Sequence, residues 1–513
     1  MPSALSRRSF LQSSAALAAW SILPTTSFGV VRKFPKLSGD PFACGVASGD
    51  LTATGIVLWT RLAPDPLNGG GMPHDDVAVS WMIADDEVMT KVVQKGTVVA
   101  ASDMAHSVHV EVEGLKPDRW YFYQFKVGNE TSPVGRTRTA PEAGAVPDRL
   151  RFAFASCQHY ESGLFTAYEH MAKQPLDLVV HLGDYIYEGA GRERQIRMHV
   201  GPEIETLEHY RNRHAQYKTD EHLQATHAAF PWIVTWDDHE FDNNCAGDIS
   251  EQSQVGAEEF LKRRANAYRA YYEHMPLRRS SLPTGPDMQL YRRISFGGLA
   301  NFFVLDTRQY RSDQPCGDGN KPQCDEAFDP KATLLGETQE QWLRDGLSKS
   351  PTAWNVLAQQ VMFAPVDRLP GEEVGLSMDQ WPGYEVSRRR MLSFFDEAKI
   401  RNPVVITGDI HSNWANDLAL PDDGAVVATE YVGTSISSGG NGSAREDYAE
   451  AMKTDNPFVK FFNAQRGYVQ CEVNAKEWRS DYQVVEQVTE PGAPLVKVAG
   501  FVTEDGKPGV QRA

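Results

Sequence analysis

The pattern of apolar and polar positions changes character along the 513-residue chain. Over residues 41–141, short alternating runs such as GIVLWTR (55–61), VAVSWMI (77–83) and VHVEV (108–112) are separated by Gly, Pro and Asp turns. Period-two alternation of this kind marks half-buried strands. The stretch GLKPDRWYFYQF (114–125) resembles the corner and following strand of fibronectin-type sandwiches. About 100 residues suits such a module. A small all-β, fibronectin/immunoglobulin-like domain is therefore expected over 41–141, joined to the rest of the chain by the linker PEAGAVP (141–147).

Beyond the linker the texture alternates between strand-length apolar runs and helical periods. Strands are predicted at 150–157, 178–182, 231–236, 301–305, 354–358 and 403–407. Helical stretches are expected around Tyr168 to Met171 and over the polar, His-bearing segment 203–229. Phe260, Leu261, Ala265, Tyr268, Tyr272 and Met275 recur at spacings of three and four, an amphipathic helix. Strands alternating with helices predict a layered α/β domain over 148–490, leaving 491–513 as a C-terminal tail.

Four of these strands end in chemistry. Their C-terminal ends read Ser156-Cys157-Gln158-His159, Gly183-Asp184-Tyr185-Ile186-Tyr187, Asp237-Asp238-His239-Glu240 and Gly408-Asp409-Ile410-His411. Ligands of open α/β sheets gather at the carboxyl ends of strands, so these bursts converge on one edge. Clustered carboxylates repel unless some protonate or a cation sits among them. A multimetal centre resolves this and suits phosphoryl chemistry. Thiolate, phenolate and imidazole favour iron or zinc, while carboxylates favour calcium, magnesium or manganese.

Charge and cysteine content narrow the picture. A formal charge of -17 argues against a nucleic-acid scaffold. It does not argue against small anionic substrates presented to metals. Ser6-Arg7-Arg8-Ser9-Phe10-Leu11 precedes a short, weakly apolar run, the pattern of a bacterial twin-arginine export signal over 1–32. The chain is thus expected to meet the twin-arginine translocase and to reach the periplasm or the outside. No later segment is apolar enough to span a bilayer. Cys316 and Cys324 bracket a short polar loop suited to a disulfide. The histidines His209, His214, His222 and His227 are expected to serve the 203–229 helical segment rather than a second metal site. Asn243 and Asn244 stay open between ligand and turn cap, as does the loop 431–440 between substrate entrance and connector.

The motif series Cys157, Gly183-Asp184, Asp238-His239-Glu240 and Gly408-Asp409-Ile410-His411 is similar to that of metallophosphoesterases. The Asp184-to-Tyr187 spacing is similar to that of purple acid phosphatases. With FACGVASGD (42–50) and YYEHMPLR (271–278), nearly the whole chain after the signal resembles the alkaline phosphatase D, or PhoD, family. The resemblance implies a metallophosphoesterase-like β-sandwich flanked by helices, holding one ferric iron and two calcium ions. Iron would take Cys157, Asp184, Tyr187 and His411. Asp184 would bridge to calcium, with Asp237, Asp238 and Asp409 as oxygen ligands.

His239, held by Glu240 or a neighbouring acid, would contact the phosphoryl group or protonate the leaving alkoxide. The attacking group implied is a metal-bound hydroxide or oxo group. Arg264, one position from the seam of Leu261, Ala265 and Tyr268, is the preferred phosphate-binding arginine, with Arg263 and Arg308 as competitors. The expected activity is hydrolysis of small phosphomonoesters and phosphodiesters by a monomer. Phospholipase-D-type and teichoic-acid-type phosphodiesterases share the scaffold, and a catalytically inactive cell-envelope binding protein is the rival from another class.

Overall fold

The most buried strands of the chain sit where the apolar runs are longest. The structure is a computed structural model describing residues 37–513 other than Asp423; the export-signal stretch lies outside the described residues. A ten-stranded sheet has Leu150–Ala155, Leu178–His181 and Pro231–Val234 at its centre, all parallel. Every residue of the last two is buried. Strands covered on both faces need no alternation, which is why they read as continuous apolar runs. An eight-stranded sheet contains Ala300–Val304, Trp354–Ala358 and Pro403–Thr407, again parallel.

The two sheets pack face to face. Phe152 of the first meets Phe302 of the second edge-on at 5.3 Å between ring centroids. Gln360 Nε2 donates to Thr235 Oγ1 and Leu305 O, each at 2.9 Å, satisfying polar groups between the layers. Both sheets deliver strand ends to the same edge.

The all-β module is present, but one of its layers belongs to the larger sheet. Val92–Ala100, Val77–Ala84 and Trp120–Val127 form its own sheet. Val46–Gly49, Ile56–Arg61 and Ser107–Val112 instead continue the ten-stranded sheet, through parallel pairing of Ser48 with Pro231. Residues Leu37–Ala513 accordingly form one compact unit.

Two expectations are corrected, and the helical reading of 203–229 holds with a break in it. Residues 491–513 are not a tail: Leu495–Glu504 and Lys507–Arg512 are the last two strands at one end of the ten-stranded sheet, with Lys507–Arg512 at its edge. They turn at Asp505-Gly506, with Gly506 at φ 72°, a hairpin signal diluted by the lysines and glycines around it. The segment 203–229 is two helices, Leu207–Lys218 and Glu221–Ala229. Asp220 separates them because its carboxylate caps the second by accepting from the N–H groups of His222 and Leu223. Finally, the helix Ala257–His274 is rotated relative to the expected seam. Leu261 and Ala265 are half-buried while Phe260, Arg264, Ala267 and Tyr268 are buried. Stacking of Tyr268 on Trp236, at 4.1 Å between centroids, accompanies that orientation. Cys316 and Cys324 are joined as a disulfide.

Candidate metal centre

The strand ends carry their functional residues in strained backbone. Cys157 (φ 58°), Asp184 (φ 55°), Asp409 (φ 63°) and His411 (φ 54°) are all in the left-handed region. Such conformations cost of order 1–3 kcal/mol each and cluster where function needs the geometry. Gly183, at φ 112°, is required: a Cβ there would lie 2.5 Å from the Asp237 amide nitrogen.

These turns bring two donor groups together. Cys157, Asp184 and His411 place ligand atoms within 4.8 Å of one another, and so do Asp184, Asp238 and His239. Asp184 belongs to both. Tyr187 joins the first group: its hydroxyl is 2.8 Å from Asp184 Oδ2, 3.4 Å from His411 Nε2 and 2.7 Å from Ser438 Oγ. Asp409 accepts from Gln380 Nε2 at 2.9 Å. Asp184 Oδ1 and Asp237 Oδ2 are buried without a hydrogen-bond partner.

Burial, reinforced by neighbouring carboxylates, pushes the acid of Asp184 well above the usual carboxylate range and that of Asp409 to about 6. Burial also holds the Cys157 thiol and Tyr187 phenol up, and depresses His411 to about 3, where Arg466 opposes its charge further. Dry carboxylates with unpartnered oxygens, beside a thiol, a phenol and an imidazole, fit a metal centre. A cation would reverse each of these acid shifts by stabilising the anionic donors.

Glu188 holds His239, with Oε2 2.7 Å from Nδ1. Burial disfavours imidazolium there, but Glu188, Asp184 and Asp238 outweigh it and raise the His239 pKa well above the ordinary histidine range. The expected partner Glu240 does something else. It accepts from the amides of Asp184 (3.1 Å), Tyr185 (2.6 Å) and Asp237 (2.7 Å), tying two strand-end turns together.

The arginine expectation is corrected. Arg264 donates to Gly247 O and Pro286 O at 2.5 and 3.0 Å, so its fork anchors loops. Arg263 pairs with Asp242 and Glu203. Arg308 is the one in the cluster: it is fully buried, bonds Asp237 Oδ1 at 2.5 Å, and grips Asp379 through both terminal nitrogens at 2.8 and 3.0 Å. Asp237 is thus engaged by an arginine and belongs to neither donor group.

Several roles left open are now visible. The amides of Asn243 and Asn244 serve carboxylates, donating to Glu188 Oε1 (3.1 Å) and Asp238 Oδ2 (2.7 Å). Their side chains bond Glu251 and Asp318 instead. The 431–440 loop lines the centre, because Ser438 Oγ bonds both Tyr187 and the Cys157 carbonyl. His159, Glu161 and His199 also approach within 4.8 Å of one another. Arg213 Nη1, 3.2 Å from His199 Nδ1, sets a positive charge against any cation there. Glu188, Asp379 and Arg466 contribute without having been singled out in the sequence. Glu188 was within reach, one residue after Tyr187; Asp379 lies in a loop with no distinguishing pattern.

The model of the PhoD-like phosphatase family matches residues 152–482, and that of the PhoD-like phosphatase N-terminal domain matches residues 29–141. The chain belongs to the PhoD-like phosphatase family. Alkaline phosphatase D of Bacillus subtilis (strain 168) is 51% identical over 518 residues, covering 99% of this chain and 89% of that protein. A solved structure of PhoD superposes with a TM-score of 0.90 at 52% identity, covering 93% of each chain. This PhoD-like phosphatase is a phosphoric ester hydrolase, and Cys157, Asp184, Asp238 and His411 are among its candidate metal-binding groups.

Proposed function

We propose that this phosphatase is metal-dependent, takes one ferric iron and two calcium ions, and hydrolyses small phosphomonoesters and phosphodiesters after export by the twin-arginine pathway. Asp184 carries the reading: one carboxylate shared by two donor groups, with an oxygen buried and unpartnered. Leaving such a group without a cation is costly. Cys157, Asp184, Tyr187 and His411 offer iron the softer donors, while Asp238 and Asp409 offer calcium oxygen. Metal ions there supply positive charge to the phosphoryl oxygens and make water a stronger acid.

The chain's own groups complete the reaction. His239 is fixed through Nδ1 by Glu188, which leaves Nε2 to face the ester and pass a proton to the departing alkoxide. Arg308 has its fork committed to Asp237 and Asp379, so it positions carboxylates rather than reaching the phosphate. The β module braces this arrangement: Trp59 Nε1 donates to Glu273 O, 3.0 Å away on the helix Ala257–His274. The Arg7-Arg8 pair supports export, and among the described residues no helix is long and apolar enough to cross a membrane.

Metal analysis of the exported protein, with a monoester and a diester assayed side by side, tests this. Iron and calcium should both be found, together with a visible charge-transfer band. Tyr187→Phe should abolish the band and lower kcat by about 100-fold, the scale of losing one transition-state contact. Full activity in metal-free protein, or in Asp184→Ala, would overturn the reading.

A further inference from the structure

A cavity of about 200 Å³ opens beside the metal centre, and His411 lines it. Three arginines, Arg368, Arg445 and Arg466, also line it, and none of its lining residues is acidic. That is unusual placement in a chain whose formal charge is -17. The three arginines are not equivalent. Arg466 is buried and structural, donating to His411 O at 2.5 Å and Gly440 O at 2.8 Å. Arg368 donates to Asn320 Oδ1 at 3.3 Å, and Arg445 lies over the Tyr448 ring with its guanidinium carbon 4.0 Å from the centroid. Among the described residues neither Arg368 nor Arg445 is ion-paired, so both guanidinium groups retain donors for an anion. Tyr448 and Phe462 give the same cavity an apolar wall.

We propose that this cavity is a subsite for a second phosphate carried on the organic part of the substrate, so that the enzyme selects esters with two anionic groups over those with one. The inference rests on the phosphoesterase reading above. His411 joins the two places, since it belongs to the donor group at the metal centre and to the cavity wall. A substrate whose first phosphate sits at the metals therefore has its remainder within reach of Arg368 and Arg445. Guanidinium groups match phosphate oxygens in a planar fork, and their charge is worth more at a half-enclosed site than in open water. The subsite contributes binding and orientation only. Hydrolysis still breaks the ester P–O bond at the metal centre, forms a P–O bond to a water oxygen, and releases the neutral alcohol, its oxygen taking a proton that the water gives up.

The test compares α,ω-alkanediol monophosphates with the corresponding bisphosphates over a series of chain lengths, using the metal-loaded enzyme. At the spacing that bridges centre and cavity, the bisphosphate should have about tenfold higher kcat/KM, mostly through KM, the scale of one charged hydrogen-bonding contact. Arg368→Ala/Arg445→Ala should erase that preference while monophosphate turnover stays within about twofold, because neither arginine touches a proposed ligand. The inference is overturned if the wild type shows no preference at any spacing, or if the double variant retains it, or if both substrates suffer equally. Absence of hydrolysis of every ester by the wild type would instead refute the phosphoesterase reading itself.

Discussion

Arg308 and Lys218 are both buried cations, with 0% and 2% of their surfaces exposed, and they sit in opposite electrostatic surroundings. They are reached from one turn. Asp184 and Tyr187 take part in the acidic cluster that contains Arg308, whereas Tyr185 between them bonds Lys218 at 3.1 Å. Burial disfavours both charges. Asp237, Asp238, Asp379 and Asp409 override it at Arg308, whose pKa is raised well above the arginine range. At Lys218 burial goes almost unopposed and brings the amine down to about 7. The contrast separates two uses of a buried polar layer. One holds more carboxylates than its buried arginines, Arg308 and Arg311, neutralise and so calls for metal ions. The other is a shell of neutral partners that does not.

Removing Arg308 breaks the contrast most severely. Arg308→Met leaves Asp237 without its counter-charge, while Asp379 keeps its ion pair with Arg311 at 3.0 Å. Breaking a buried ion pair from one side costs about 3–5 kcal/mol. A large drop in denaturant midpoint is expected in metal-free protein, with partial recovery when metals are added. An unchanged midpoint would mean that the acidic layer is compensated by something other than this arginine.

A smaller effect, confined to chemistry, is expected at Glu188. Glu188→Gln keeps the shape of the contact with His239 Nδ1 but removes the charge that orients and stabilises the imidazolium. A loss of about 10–100-fold in kcat should result, as for other groups that orient a functional histidine. Iron and calcium contents should stay at wild-type values, which separates positioning of His239 from damage to the centre. Wild-type kcat in this variant would remove Glu188 from the account.

Much of this was legible in the chain because the central strands are buried on both faces. An unbroken apolar run ending in Gly-Asp marks both the strand and its functional end, so Cys157, Asp184, Tyr187, Asp238 and His411 could be gathered on one edge from the sequence alone. What escaped was set by tertiary contact. Leu261 and Arg264 are equally plausible inward positions on a helix that carries apolar residues on both sides of its seam; the stacked pair Trp236 and Tyr268 goes with the rotation observed. That rotation puts Arg264 on loop carbonyls and leaves the acidic cluster to Arg308, some distance away in sequence. The left-handed backbone at Cys157, Asp184, Asp409 and His411 has only a weak sequence signature, since none is glycine and Asp and His merely tolerate it better than most residues. The two strands after residue 491 were hidden because the margin of a sheet tolerates the polar and glycine residues that blur alternation.

The gentlest prediction concerns Lys218. Its amine bonds the Tyr185 hydroxyl at 3.1 Å, approaches His227 Nε2 at 3.5 Å and lies 4.5 Å over the Trp59 ring. Cys44, His181 and His214 also face it. Burial raises the pKa values of Cys44 and Tyr185 and lowers those of the three histidines, so every neighbour is neutral near pH 7. With a folded pKa of about 7 against 10.5 in the unfolded chain, the folded protein binds fewer protons between those values. Stability attributable to this group is therefore flat below pH 7 and rises from about pH 7 towards 10. The slope is up to about 1.4 kcal/mol per pH unit. Lys218→Met, of similar length and without charge, should remove that rise while leaving the metal content and kcat intact. Denaturant midpoints at pH 7, 8 and 9 read the difference directly. Parallel pH profiles for variant and wild type would show that Lys218 keeps its proton throughout, and that the two buried cations differ less than their partners indicate.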